Sequence, residues 1–166
     1  MTILTHTLTG LAIGKLVYSL SGGNVLIDNE TYFMLFSAIA SNLMDLNSLW
    51  FWRTKPAHRH HINFMHWPIV PATLTLITII VSLFVQIPAE VICVLLLWGV
   101  HLFLDMFGIL SGVHLLMPFN HKEFAFFKIY RDETPTKKEV AEKTFKSGRL
   151  FLEIAIILGA IAYLVL

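Results

Sequence analysis

Charge is scarce in this chain. Asp, Glu, Lys and Arg supply 14% of its 166 residues, against roughly 25% in an ordinary soluble domain. Apolar residues reach 56% and the mean hydropathy is +0.70. A soluble domain of this length has too little interior for so much apolar surface, whereas a membrane supplies it. The net charge of +1 leaves no basic field of the kind that binds nucleic acid, so no nucleic-acid partner is expected. A single cysteine, Cys93, excludes an intramolecular disulfide and every cysteine-based metal motif. Its apolar surroundings mark it as a small packed hydrophobe. The HExxH zinc-protease motif, the Gly-rich phosphate loop and the GxSxG elbow are all absent. No basic segment precedes the first apolar stretch, which carries His6, so that stretch reads as a retained helix rather than a cleaved signal peptide.

What is present is apolar sequence in long pieces. Crossing the hydrocarbon layer takes ~20 mostly apolar helical residues. Five stretches qualify, at about residues 3–20, 31–46, 67–86, 89–110 and 149–166. The expected fold is therefore an all-α membrane protein of about five transmembrane helices, forming one integral membrane domain over 1–166. Gly10 and Gly14 in the first stretch have the spacing of a close helix contact. Residues 111–148 form the longest connection. Within it Thr136-Lys137-Lys138-Glu139 fits a capping box for a short helix over about 136–147, ended near Gly148.

The connections differ in charge. Residues 21–30 contain Asp28 and Glu30 and no Lys or Arg, and 86–89 is a tight turn. Arg53, Lys55 and Arg59 lie in 47–66. Lys122, Lys128, Arg131, Lys137, Lys138, Lys143 and Lys146 lie in 111–148, with Arg149 at its end. Lys15 is the exception, placed to snorkel from the first helix. The positive-inside rule puts both basic connections, and the N-terminus, in the cytoplasm.

That topology gathers chemistry at one face. His6 lies near the start of the first helix, Asp45 at the end of the second, and His58, His60, His61 and His66 lead into the third. His101 and Asp105 occupy the cytoplasmic half of the fourth, and His114 and His121 follow it, so all eight histidines fall on one side. Asp105 is a carboxylate in a strongly apolar helix, where charge is costly unless paired or ligated. His101 and Asp105 are four apart and share a helix face. His61 and His66 are five apart, which suits a loop ligand and a helix-start ligand. Imidazole and carboxylate without thiolate favour Zn²⁺, with Mn²⁺ or Fe²⁺ as alternatives. A metal site is the expectation, with a satisfied polar cluster at the helix ends as the competing reading. Glu153, about one turn from Arg149, is expected to pair with it.

These motifs, in order, resemble the YdjM-like family of membrane-bound metal-dependent hydrolases of the bacterial inner membrane. The resemblance runs over about residues 1–120. It rests on His6 in Leu4-Thr5-His6-Thr7, on Leu43-Met44-Asp45-Leu46-Asn47 at the place of the family's L-P-D-x-D, and on His61-Ile62-Asn63-Phe64-Met65-His66 at its H-R-G-x-T-H. It rests most specifically on His101-Leu102-Phe103-Leu104-Asp105, followed by Gly112-Val113-His114-Leu115-Leu116-Met117-Pro118. Asn47, Ile62, Met65 and Trp67 depart from the pattern. The order also resembles, more loosely, helical zinc phospholipases C and single-strand nucleases. That likeness implies Asp45, His61, His101 and Asp105 around one ion, and His6 with Asp105 around another.

The expected function is a membrane-embedded metal-dependent hydrolase, a phosphoesterase acting on a lipid or lipid-linked phosphate at the cytoplasmic leaflet. Metal-activated water attacks, with His66 and Asp105 as the catalytic pair. Arg53, Lys55, Arg59 and Lys122 are placed to attract phosphate, besides their topogenic role. The alternatives are a non-catalytic metal-binding regulatory protein and, further off, a metal-ion transporter. Residues 75–97 offer only Thr75, Thr78, Ser82, Gln86 and Glu90 as polar groups, which argues against a path through the bilayer.

Overall fold

The computed structural model describes residues 2–45, 64–108, 112–127 and 137–166. Among them are six α-helices: α1 (Ile3–Leu20), α2 (Glu30–Ala40), α3 (Ile69–Ser82), α4 (Ala89–Asp105), α5 (Lys137–Lys146) and α6 (Arg149–Val165). No strand occurs among the described residues beyond one isolated antiparallel bridge, Val113 with Phe124.

Helix α1 is the axis of the molecule and packs on α2, α4 and α6, while α3 rests on α4. The α1–α2 contact is made by small residues. A Cβ added at Gly10 would lie 2.6 Å from Ser41 Oγ, and one at Gly14 would lie 2.6 Å from Ser37 Oγ. The two glycines thus let the backbones approach, as their spacing suggested. Where α1, α2 and α4 meet, Phe33, Ala40, Cys93 and Leu97 form a dry core, and Cys93 Sγ sits 3.3 Å from Ser37 Oγ.

Helix α1 fills its expected stretch 3–20 and α6 nearly fills 149–166, whereas α2, α3 and α4 are shorter than the apolar stretches from which they were expected. Helix α1 alone, among the described residues, is long and apolar enough to cross a membrane by length and composition. The expected span 31–46 ends its helix at Ala40 because side chains take the carbonyl that would continue it. Ser41 Oγ and Asn42 Nδ2 both donate to Ala38 O at 2.8 Å, and the Asn42 amide turns to Ile39 O instead. A 3-10 turn, Leu43–Asp45, follows. The expected span 67–86 begins after a second 3-10 turn, Phe64–His66, and frays from Ser82 ahead of Pro88. The expected span 89–110 stops at Asp105, where Phe107 and Gly108 amides close tighter turns onto Leu104 and Asp105 carbonyls. Helix α5 matches the short helix expected over 136–147. Gly148, at φ +73°, ends it in the left-handed conformation that glycine adopts freely. Thr136, the expected cap, lies outside the described residues.

One end of the bundle is latched by polar groups. Glu90 Oε1 accepts from the Leu26 and Ile27 amides at 2.7 and 2.8 Å. Asn24 Nδ2 donates to Ile87 O at 2.6 Å, and Asn24 O accepts from Ala89 N at 3.0 Å. The two lysine-free connections therefore lie together. Two side chains make more contacts than expected. Lys15 does not simply snorkel: its Nζ donates to the Tyr163 and Leu164 carbonyls at 3.2 and 3.3 Å, closing the C-terminus of α6. Glu153 is bound mainly across the bundle, accepting from Thr5 Oγ1 at 2.6 Å and Thr2 N at 2.8 Å, with Arg149 Nε 3.9 Å away. Residues 2 and 5 meet 153 while residue 15 meets 163, so α1 and α6 run parallel.

Candidate metal centre

At the opposite end, four segments of chain converge. Helix α1 contributes His6 from its first turns. The turn after α2 contributes Asp45, the turn before α3 contributes His66, and the last turns of α4 contribute His101 and Asp105. One ligand atom each from Asp45, His66, His101 and Asp105 lie within 4.8 Å of one another, which is the span of a single coordination sphere. His101 Nε2 is 3.2 Å from Asp105 Oδ2 and 3.5 Å from Asp45 Oδ1. His66 Nε2 is 3.6 Å from Asp45 Oδ1 and 3.8 Å from Asp105 Oδ2. His6 approaches from the other side, with Nε2 3.4 Å from Asp105 Oδ1. Asp105 thus turns one oxygen toward His101 and His66 and the other toward His6.

Local structure explains each placement. The i, i+4 spacing in α4 aims His101 and Asp105 at one point. The break in α2 caused by Ser41 and Asn42 turns the chain so that Asp45 faces α4. Trp98 Nε1 donates to Met65 O at 2.7 Å and so holds the turn that carries His66. Around this end Met44, Trp98, Leu102 and Val113 pack as a second apolar cluster. His6 and His101 stack with ring centroids 4.1 Å apart. The side chains of His66 and His101 are 0% exposed and that of Asp105 is 4%, whereas Asp45 keeps 22% and is the most exposed member of the set.

The donor set fits a divalent cation on its own chemistry. His101 Nδ1 lies 2.8 Å from the Ser41 carbonyl, which can only accept. The proton is therefore on Nδ1, and the Nε2 lone pair faces the carboxylates in the neutral ring. A backbone carbonyl holding the far nitrogen of a ligand imidazole is the usual second support of a metal site. His6 Nε2 and His101 Nε2 are buried and have no hydrogen-bond partner among the described residues. Two carboxylates with neutral imidazoles carry a charge of −2, and one divalent cation cancels it; left uncompensated, such a charge is costly to bury.

Of the residues singled out in the sequence, His6, Asp45, His66, His101 and Asp105 come together. His66, also singled out as a ligand, belongs to the four-donor set; the looser likeness to zinc phospholipases C placed His61 beside Asp45, His101 and Asp105. His58, His60, His61, Asn47, Ile62, Arg53, Lys55 and Arg59 lie outside the described residues. His114 and His121 pair with each other instead: His114 Nδ1 donates to His121 O at 2.9 Å and its Nε2 faces Glu123 Oε1 at 3.7 Å. Lys122 is exposed. The parts that sequence reasoning missed are the Ser41 carbonyl, a backbone atom, and the Trp98 strut, which carries no pattern of its own.

Fold and site together define an all-helical protein with a buried histidine–aspartate cluster that can hold a metal ion. The model of the family described as YdjM inner membrane protein matches residues 1–166, and the chain belongs to that family. Neither the curated proteins nor the solved structures contain a match.

Proposed function

We propose that this chain is a membrane-embedded, metal-dependent hydrolase that cleaves a phosphoester of a lipid or lipid-linked substrate at the cytoplasmic leaflet. The observation that carries the reading is the convergence of Asp45, His66, His101 and Asp105 from three separate chain segments at the end of an apolar helix bundle. Helices α1, α2, α3, α4 and α6 are the five spans in this reading. Helices α4 and α6, at 17 residues, stand at the short end of the ~17–25 residues that spanning takes, and α2 and α3, at 11 and 14 helical residues, fall below it. The basic connections 47–66 and 111–148 set the cytoplasmic side, on the positive-inside rule.

In this reading Asp45, His66, His101 and Asp105 hold one cation, with zinc suited to the donor set and manganese or iron as alternatives. His6, with Nε2 3.4 Å from Asp105 Oδ1, would be the donor nearest a second cation. A cation bound there lowers the pKa of water and offsets the charge of the phosphoryl oxygens. The protein's own share is positional. Ser41 O fixes the tautomer of His101, Trp98 fixes the turn of His66, and the apolar cluster around them excludes bulk water, which strengthens the electrostatics inside. Asp45, the most exposed of the four, marks where substrate enters. His66, which the sequence also suggested for proton transfer, serves here as a ligand.

The test is metal content and turnover together. Purified protein should retain divalent metal by elemental analysis and release phosphate or a headgroup from lipid vesicles only while the metal is bound. Asp105→Ala should lose both. Turnover indifferent to chelation and to that substitution would overturn the proposal. A second reading, a non-catalytic polar cluster, is favoured by the 3.2 Å approach of His101 to Asp105, a distance that also suits an imidazolium–carboxylate pair. Protein purified without metal, and stable in chelator, would select it.

A further inference from the structure

A groove runs along the contact of α3 with α4, away from the core shared by α1, α2 and α4. It encloses about 570 Å³, within the ~300–1,000 Å³ typical of ligand sites. Toward the latched end it reaches Ser82 and Ile87. A second, overlapping hollow continues it to Pro68 and Met106. The two share Thr75, Ile79, Leu95, Gly99 and Phe103, so they form one channel along the length of the helices. Met106 follows Asp105 directly, and Pro68 stands two residues after His66. Leu102, on the groove wall, packs in the cluster with Trp98, which holds the His66 turn.

Gly99 adds a separate observation. At Gly10 and Gly14 a Cβ would strike α2, which accounts for the glycines. At Gly99 an added Cβ meets nothing within 4 Å. No described neighbour requires a glycine there, and glycine is a poor residue for a helix interior. What its missing side chain does is widen the groove.

We infer that the groove between α3 and α4 holds one acyl chain of the lipid substrate, with its phosphate headgroup delivered to the histidine–aspartate centre. The occupant is a lipid chain because the lining is apolar, because the groove lies along the helix axes of an inner-membrane protein, and because its cytoplasmic-side end abuts the centre. This rests on the hydrolase reading for the headgroup's fate, but the groove's occupancy is measurable apart from it.

The probe is phosphatidic acid carrying a photoactivatable diazirine in its acyl chain, in vesicles of phosphatidylethanolamine and phosphatidylglycerol containing the reconstituted full chain. After irradiation, label should concentrate within residues 75–103, about fivefold above that on the outer faces of α1 and α6. Gly99→Phe, which fills the groove, should cut that labelling about fivefold with metal content unchanged. Gly99→Ala should keep it. Should Gly99→Phe fail to fold, Thr75→Phe fills the same space from the opposite wall and should have the same effect. Label spread evenly over all lipid-facing helices, labelling untouched by both bulky variants, or a cross-link joining two copies through 75–99 would each overturn the inference. Groove labelling by a protein that binds no metal would remove the hydrolase reading and leave the groove standing; metal and turnover without groove labelling would do the reverse.

Discussion

The two ends of the helix bundle use the same kinds of side chain to opposite effect. At the latched end, Glu90 Oε1 and Asn24 bond to backbone partners in the next connection at 2.6–3.0 Å, while Glu90 Oε2 is buried with no hydrogen-bond partner among the described residues. At the other end, His6, Asp45, His66, His101 and Asp105 face one another at 3.2–3.8 Å, with imidazole nitrogens directed at carboxylates. Burying a polar group is tolerable when it is hydrogen-bonded and costly when it is not. The first end is a latch between connections, whereas the second gathers imidazoles and carboxylates that could hold a metal ion.

The largest expected effect lies at the histidine–aspartate end. Asp105→Ala should weaken divalent-metal binding by more than the ~10–100-fold typical of changes outside the ligand shell, read by elemental analysis and metal titration. Glu90→Ala, at the latched end, leaves two amides unsatisfied at about 1–3 kcal/mol each. It should lower the unfolding temperature while metal stoichiometry holds; metal lost in parallel would erase the distinction between the ends. Gly10→Ala and Gly14→Ala should each destabilise by about 1–3 kcal/mol through overpacking. Only Gly10→Ala should also lower metal affinity, because it pushes on Ser41, whose carbonyl orients His101. Trp98→Phe keeps the apolar ring and loses the bond to Met65 O, so stability should fall by about 1 kcal/mol. Metal affinity should drop about tenfold, as for other supporting groups. Glu142→Gln is the smallest. The exposed Lys146 ammonium, 2.6 Å away, holds the Glu142 carboxyl below its ordinary range, yet the pair lies in solvent and its loss should change neither melting nor metal content.

The helices themselves were readable as apolar stretches, and the ends of α1 and α6 with them, but the ends of α2, α3 and α4 were not. A stretch is defined by composition, and composition did not reveal that Ser41 and Asn42 would capture Ala38 O and end α2 early. That early end is what frees Asp45 to face α4. His101 and Asp105 were the most legible site residues, because a spacing of four in a helix is a statement about direction. His66 was legible as a helix-start ligand, though the looser likeness grouped His61 rather than His66 with Asp45, His101 and Asp105, and a loop carries no periodicity to choose between them. Glu153 pairs with Arg149 one turn away at 3.9 Å, as its spacing suggested, and it also bonds to Thr2 and Thr5 at the start of α1. Neighbours along a helix are visible in sequence, whereas neighbours across a bundle are not.

Sequence alone determined the apolar character, the alternation of long and short connections, and the presence of imidazole and carboxylate groups in apolar surroundings. These are properties of local composition and spacing. Which groups meet was decided by tertiary structure: small residues at Gly10 and Gly14 set how closely α1 and α2 approach, and the turns at Asp45 and His66 set which donors reach α4. Coordination depends on distances of a few ångströms between segments far apart in the chain, and only packing fixes those.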